Sequence, residues 1–278
     1  MPEFETPEPI SVTFGFDIGT IRFTAEQRTR TVVEVRPGNE DDEVDVRAAR
    51  QTQVTYANGT LVIKGPKKRS LFGRSGSIDV SVELPAGSDV VGSSPMADIL
   101  CEGRLGDCDL KTSAGDIRVA EADGVTLRTG FGDTSLDRAT GNVDITGHGR
   151  VDVGEVAGTA TLKNLGDTTI GEVNGELRVR SSIGRISVGV AHGDVEARCA
   201  SGHIRVEQVA RGKVTLRTGA GDLEVGVREN SAAWLDVSAR AGGVHNSLTP
   251  SDGPGASEET VEIRANTGLG DIVIRRPQ

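Results

Sequence analysis

The segment Cys108-Asp109-Leu110-Lys111-Thr112-Ser113-Ala114-Gly115-Asp116-Ile117-Arg118-Val119 holds two apolar-x-apolar units nine residues apart. Each unit, Cys108/Leu110 and Ile117/Val119, carries the period-2 signature of a short strand with one buried face. Fourteen such pairs follow one another from Cys108/Leu110 to Leu223/Val225, and their starts lie 8 to 10 residues apart. Glycine stands two residues before nearly every pair, as at Gly115, Gly132, Gly184 and Gly221. Glycine there supplies the positive φ of a corner.

Alternate units differ. The turns before Ile117, Thr134, Val151, Thr168, Ile186, Ile204 and Leu223 read like Ser-Ala-Gly-Asp, and the others like Ala-Asp-Gly or Ala-Thr-Gly-Asn. The period is therefore two units, and each period is one coil with two walls. The chain reads as an all-β, single-chain parallel β-solenoid with two-strand coils of about 17–18 residues, stacked at roughly 4.8 Å per rung. Aromatics make up 3% of the sequence, which suits a thin aliphatic core better than an ordinary globule.

Outward from the repeat, residues 10–95 read as an N-terminal β cap or irregular start of the solenoid. Strands are expected around Val12–Ile18, Thr31–Arg36, Glu43–Arg47, Gln53–Tyr56, Leu61–Lys64 and Ile78–Leu84, with turns at Pro37-Gly38, Asn58-Gly59 and Pro85-Ala86-Gly87. Residues 1–9 read as a disordered N-terminus, 96–228 as the regular repeats, and 229–278 as C-terminal coils with a mobile loop at 245–259. No segment reads as a helix. A cap is expected because an open end exposes strand edges and core.

The 31 Lys and Arg against 41 Asp and Glu leave a net charge of -10, so nucleic acid is not the expected partner. No run of about 18 apolar residues exists to span a membrane. Met1–Ile10 lacks the features of a secretion signal, and the three cysteines follow no metal spacing. These point to a reduced, cytoplasmic chain, or to the cell surface if a leader was removed.

The phrase Thr112-Ser113-Ala114-Gly115-Asp116-Ile117-Arg118-Val119, the strand Asn58-Gly59-Thr60-Leu61-Val62-Ile63 and the junction Val82-Glu83-Leu84-Pro85 resemble a bacterial family of β-strand-repeat proteins known as "putative adhesins". The resemblance spans about residues 10–276. It implies a right-handed-type β-helix and an adhesin-like role, and it brings no catalytic residues.

The Gly-Asp corners (Asp116, Asp133, Asp167, Asp222, Asp271) invite a calcium reading. Arg150, Arg185 and His203 occupy the same place in other rungs and would break a cation ladder. Corner aspartates bonding nearby amides are expected instead. His148, His192, His203 and His245 recur at no common rung position, and no Ser/His/Asp or Cys/His set can be assembled. Catalytic residues, cofactors and metals are therefore expected to be none, with Cys108 and Cys199 as small buried hydrophobes.

One pattern suggests a binding face. Three residues after the first apolar residue of alternate units stand Lys111, Arg128, Thr146, Lys163, Arg180, Arg198 and Arg217, with Arg264 expected in the same place in the final coil. Stacking makes a basic column on one wall, with Asp109, Asp144, Arg178 and Glu196 one strand position away. A second basic group, Lys67, Lys68, Arg69 and Arg74 around Phe72, forms a candidate contact loop. The expected function is a non-catalytic scaffold or adhesin-like interaction protein that presents this face to a protein or another anionic partner. The alternative is a self-assembling, cytoskeletal-type β-helix. An enzyme is the third reading.

Overall fold

The computed structural model describes residues 1–66, 75–249 and 259–277, which fall into two compact units, residues 1–138 and 139–278. The first unit contains β1 (Glu3–Glu5), β2 (Ser11–Gly15), β3 (Ile18–Glu26), β4 (Arg30–Pro37), α1 (Glu43–Gln51), β5 (Gln53–Ala57) and β6 (Thr60–Lys64). It continues through β7 (Ser77–Pro85), β8 (Asp89–Arg104), β9 (Cys108–Ala114), β10 (Ile117–Ala122), β11 (Val125–Phe131) and β12 (Thr134–Ala139).

The solenoid expectation holds here. β8 supplies both walls of one coil: its start pairs in parallel with β2 and β9, and its end with β3 and β10. Val90 lies opposite Val12 and Cys108, and Ile99 opposite Ile21 and Ile117. β2 and β3 pair in turn with β6 and β7 on their other sides, again in parallel. The first coil in the chain thus sits between two coils that follow it. The expected strand Val12–Ile18 is split at Phe16-Asp17 because β2 and β3 are the two walls of that coil.

Beyond β6 and β7 the parallel pattern stops. β5 adds antiparallel to β6, and β4 adds antiparallel to β7. The β5–β6 turn uses Asn58 and Gly59 at φ 50° and 74°, the left-handed pair that a two-residue hairpin needs. Two expectations fail in this region. Residues 1–9 are not disordered throughout, since β1 pairs antiparallel with β4. Glu43–Arg47 is not a strand but the start of α1, where Asp42 caps the helix by accepting from the Val44 amide at 2.8 Å and Glu43 and Asp45 favour its positive end. The alternation of Val44 and Val46 mimics a strand, and the capping signal outweighs it.

The second unit contains β13 (Val143–Thr146), β14 (Val151–Val156), β15 (Ala160–Asn164), β16 (Thr168–Val173), β17 (Leu177–Ile183), β18 (Ile186–Ala191) and β19 (Val195–Ser201). It continues through β20 (Ile204–Val209), β21 (Gly212–Ala220), β22 (Leu223–Val227), β23 (Ser231–Ala241), β24 (Val244–Asn246), β25 (Glu259–Leu269) and β26 (Ile272–Arg275). On one wall Val143, Ala160, Leu177, Val195 and Val214 stack as parallel partners. On the other, Val151, Thr168, Ile186, Ile204 and Leu223 do the same. The inward side chains of both rows are buried.

The last coil is out of order. β25 lies between β21 and β23, and β26 lies between β22 and β24. The repeat does resume at the end, but the resumed coil is inserted beneath the coil that precedes it. The excursion expected at 245–259 is partly strand, since His245 and Asn246 belong to β24 and Glu259 to β25; residues 250–258 lie outside the described residues. No described helix is long and apolar enough to cross a membrane.

The corners explain the repeated Ser/Thr-x-x-Gly-Asp phrase. The leading hydroxyl turns inward and bonds a corner carbonyl, as Thr218 does to Gly202 at 2.9 Å and Thr267 to Gly221 at 2.8 Å. The glycine is required: at Gly132, φ is 139° and a Cβ would lie 2.1 Å from the carbonyl oxygen of Gly115. The aspartate reaches one coil along. Asp98 accepts from the Asp116 amide and Asp116 from the Asp133 amide, both at 2.9 Å.

Candidate functional site

The position that carries the basic column follows directly from strand geometry. In β15, β17, β19 and β21 the inward pair is followed by one outward residue, and parallel register places these outward residues on consecutive rungs. Lys163 lies opposite Arg180, Arg180 opposite Arg198, and Arg198 opposite Arg217. All four are exposed. In the first unit the same position aligns Lys111 with Arg128.

The facing wall carries no such column. There the corresponding residues are mostly glycine, and β14 and β16 drop out of direct pairing at Gly154 and Gly171. A Cβ on Gly171 would lie 2.6 Å from the Gly154 carbonyl oxygen, and one on Gly189 2.4 Å from that of Gly171. At these glycine rungs the neighbouring backbone comes too close for a side chain, while Asp137 and Glu207 put acidic groups at the same position on other rungs.

The acids beside the column neutralise part of it. Arg128 meets Asp109 at 2.9 Å, and Arg198 meets Glu196 at 2.7 Å. Arg178, one strand position away, bonds Glu176 at 2.6 Å. Lys111, Lys163, Arg180 and Arg217 have no acidic partner among the described residues. Of these six basic residues, only Arg128 and Arg198 have an acidic partner among the described residues.

Arg264 does not join the column. Its Cα partners are Thr215 and Asp236, and the rung next to Arg217 is held by Asn266. The apolar pair of β25 that matches Val214/Leu216 is Ile263/Ala265, not Val261/Ile263. The alternation Val261, Ile263, Ala265 satisfies either register, so the spacing alone placed the residue two positions wrong. Arg264 instead bonds Glu262 at 2.6 Å and lies 5.9 Å from the centroid of the Trp234 ring. The candidate contact loop Lys67, Lys68, Arg69, Phe72 and Arg74 lies outside the described residues.

Sequence reasoning missed what surrounds the end of the column. An open cleft of about 360 Å³ is lined by Arg217, Asp236, Ser238, Arg264, Ala265 and Asn266. Trp234 stands beside it and is 56% exposed. The signal was present: Trp234 is the sole tryptophan in the chain, and it has outward parity in its strand.

The remaining chemistry-bearing residues sit in the walls and corners. Burial pushes the Cys101 thiol well above its ordinary range. The Cys108 thiol is pushed up to about 12, first by burial and then by the carboxylates of Asp89, Asp107 and Asp123. Cys199 is raised as well, chiefly by burial. His203 takes the corner place of an aspartate, and its Nδ1 accepts from the Asp222 amide at 3.0 Å. Among the described residues, no group of three or more His, Cys, Asp or Glu is placed to hold a metal ion.

A family model described as Toastrack DUF4097 matches residues 20–275. Among solved structures, the chain is similar to a "putative adhesin" from Parabacteroides merdae at 12% identity and a TM-score of 0.51, over 81% of this chain and 94% of that one. A "putative adhesin" from Bacteroides fragilis aligns at 12% identity and a TM-score of 0.31, over 98% of this chain and 95% of that one. No curated protein matches.

Proposed function

The chain belongs to the Toastrack DUF4097 family, and on that premise we propose that it is a non-catalytic β-solenoid interaction protein whose basic column docks an anionic partner. The reading extends to this chain the adhesive role in the name of the Parabacteroides merdae protein. The observation that carries it is the run Lys163, Arg180, Arg198 and Arg217 on consecutive rungs. Like charges directly opposite one another in a ladder cost stability, and only Arg198 in this run has an acidic partner among the described residues. A polyanion laid along the column offsets that repulsion. Because the chain as a whole is acidic, the attraction is local and fades over a Debye length of roughly 8 Å at physiological ionic strength.

Retention on immobilised heparin tests the proposal. Arg180→Gln with Arg217→Gln should elute at clearly lower salt than the unmodified chain. The melting temperature should move by no more than a degree or two, since exposed charges contribute only about 0–1 kcal/mol. Replacing Arg118, which lies outside the column, leaves retention unchanged. Equal elution of the double variant and the unmodified chain would remove the column from the account.

A further inference from the structure

β23 is the outer strand of its wall. It pairs with β25 on one side, and no described strand borders the other. It is 11 residues long, contains neither proline nor lysine, and turns Ala233, Leu235, Val237 and Ala239 toward the core, each only partly covered. Sheet edges in natural proteins are shortened, bulged, broken by proline or given an inward charge, because a long regular edge with an apolar inner face recruits another strand. Of the protective features known at such edges, β23 shows only outward charges, at Asp236 and Arg240.

Its outward face says which strand it recruits. Asp236 and Arg240 stand four residues apart, and neither has an ion-pair partner among the described residues. Arg264, which lies opposite Asp236, is drawn instead to Glu262 at 2.6 Å. In an antiparallel pair, residues directly opposite each other share a face. Two copies of β23 paired about Ser238 therefore bring Asp236 of each copy against Arg240 of the other, while Val237 meets Ala239 on the inner face. Pairing about Asp236 would instead oppose two carboxylates.

We propose that β23 pairs antiparallel with β23 of a second copy of this chain, across a two-fold axis at Ser238. The contact is isologous, so it closes at two copies and builds no filament. It stands independently of the basic column.

The test combines light scattering behind size exclusion with a cross-link. The unmodified chain should shift from monomer to dimer as its concentration rises. Asp236→Arg opposes like charges at two places and should weaken the dimer by about tenfold or more, whereas Asp236→Arg with Arg240→Asp restores it. Ser238→Cys should form a disulfide-linked dimer on oxidation, since the three native thiols are buried. Asp236→Cys, which this register holds away from its own copy, should not. A chain that stays monomeric at every concentration overturns the proposal. So does a dimer indifferent to both charge variants, a Ser238→Cys chain that fails to cross-link, or growth into larger assemblies.

Discussion

The outermost coils of the two units end differently. β6 and β7 are each bordered by an antiparallel strand, and α1 lies against β4 and β7. β23 and β24 have no strand beyond them among the described residues. Both regions contain a coil inserted out of chain order, β2–β3 in one and β25–β26 in the other. Insertion alone therefore does not close a solenoid. A parallel coil always offers the same edge again, whatever its place in the chain. In the first unit the parallel ladder stops where the direction of the added strand changes, and the left-handed Asn58-Gly59 turn makes that change for the short strand β5, which borders β6 alone among the described strands.

A buried carboxylate separates the two regions most sharply. Ile63 is fully buried in the capped coil, whereas Leu235 in the open coil is only partly covered. Ile63→Asp should destabilise the chain by about 4 kcal/mol or more, with Val179→Asp in the regular stack behaving alike. Leu235→Asp should cost far less, because its carboxylate reaches water. Chemical denaturation of the three variants measures this. Equal losses at Ile63 and Leu235 would mean that the terminal coil is as closed as the first.

The cap itself is open to a smaller perturbation. A Cβ on Gly59 meets nothing within 4 Å, yet φ there is 74°. Gly59→Ala should therefore cost about 1–2 kcal/mol from backbone strain alone, read as a lowered denaturation midpoint. No loss would show that the turn has another conformation.

These expectations rest on features of unequal legibility. The inward rows were readable because apolar-x-apolar pairs recur with glycine at each corner. The column was readable from Lys163 to Arg217 for the same reason, since fixed spacing within a coil becomes fixed register between coils. The order of coils was not readable. Every coil presents an equivalent apolar inner face and the same edge, so the sequence does not say that β25 inserts under β23. The misplacement of Arg264 follows from that ambiguity. α1 was hidden because Val44 and Val46 alternate as a strand would, while the decisive signal was the polar cap at Asp42.

The smallest effect concerns the thiols. Cys108 sits at about 12 in the folded chain, against an ordinary value of about 8.5 once unfolded. Below the unfolded value both states hold the proton, and the contribution to stability is fully present. As pH rises toward 12 the unfolded chain releases the proton first, and that contribution is lost. Near pH 8 all three cysteines should react with a thiol reagent only slowly, and unfolding should expose them. Rapid reaction of native Cys101 or Cys108 would contradict their buried placement.

Amide hydrogen exchange on dilute protein, read strand by strand, tests the contrast between closed and open coils most directly. β25 is held between β21 and β23, so its amides should exchange roughly tenfold or more slowly than those of β23. β6, held between β2 and β5, should match β25 rather than β23. Slow exchange in β23 equal to that in β25, at concentrations where the chain is monomeric, would contradict an open terminal coil.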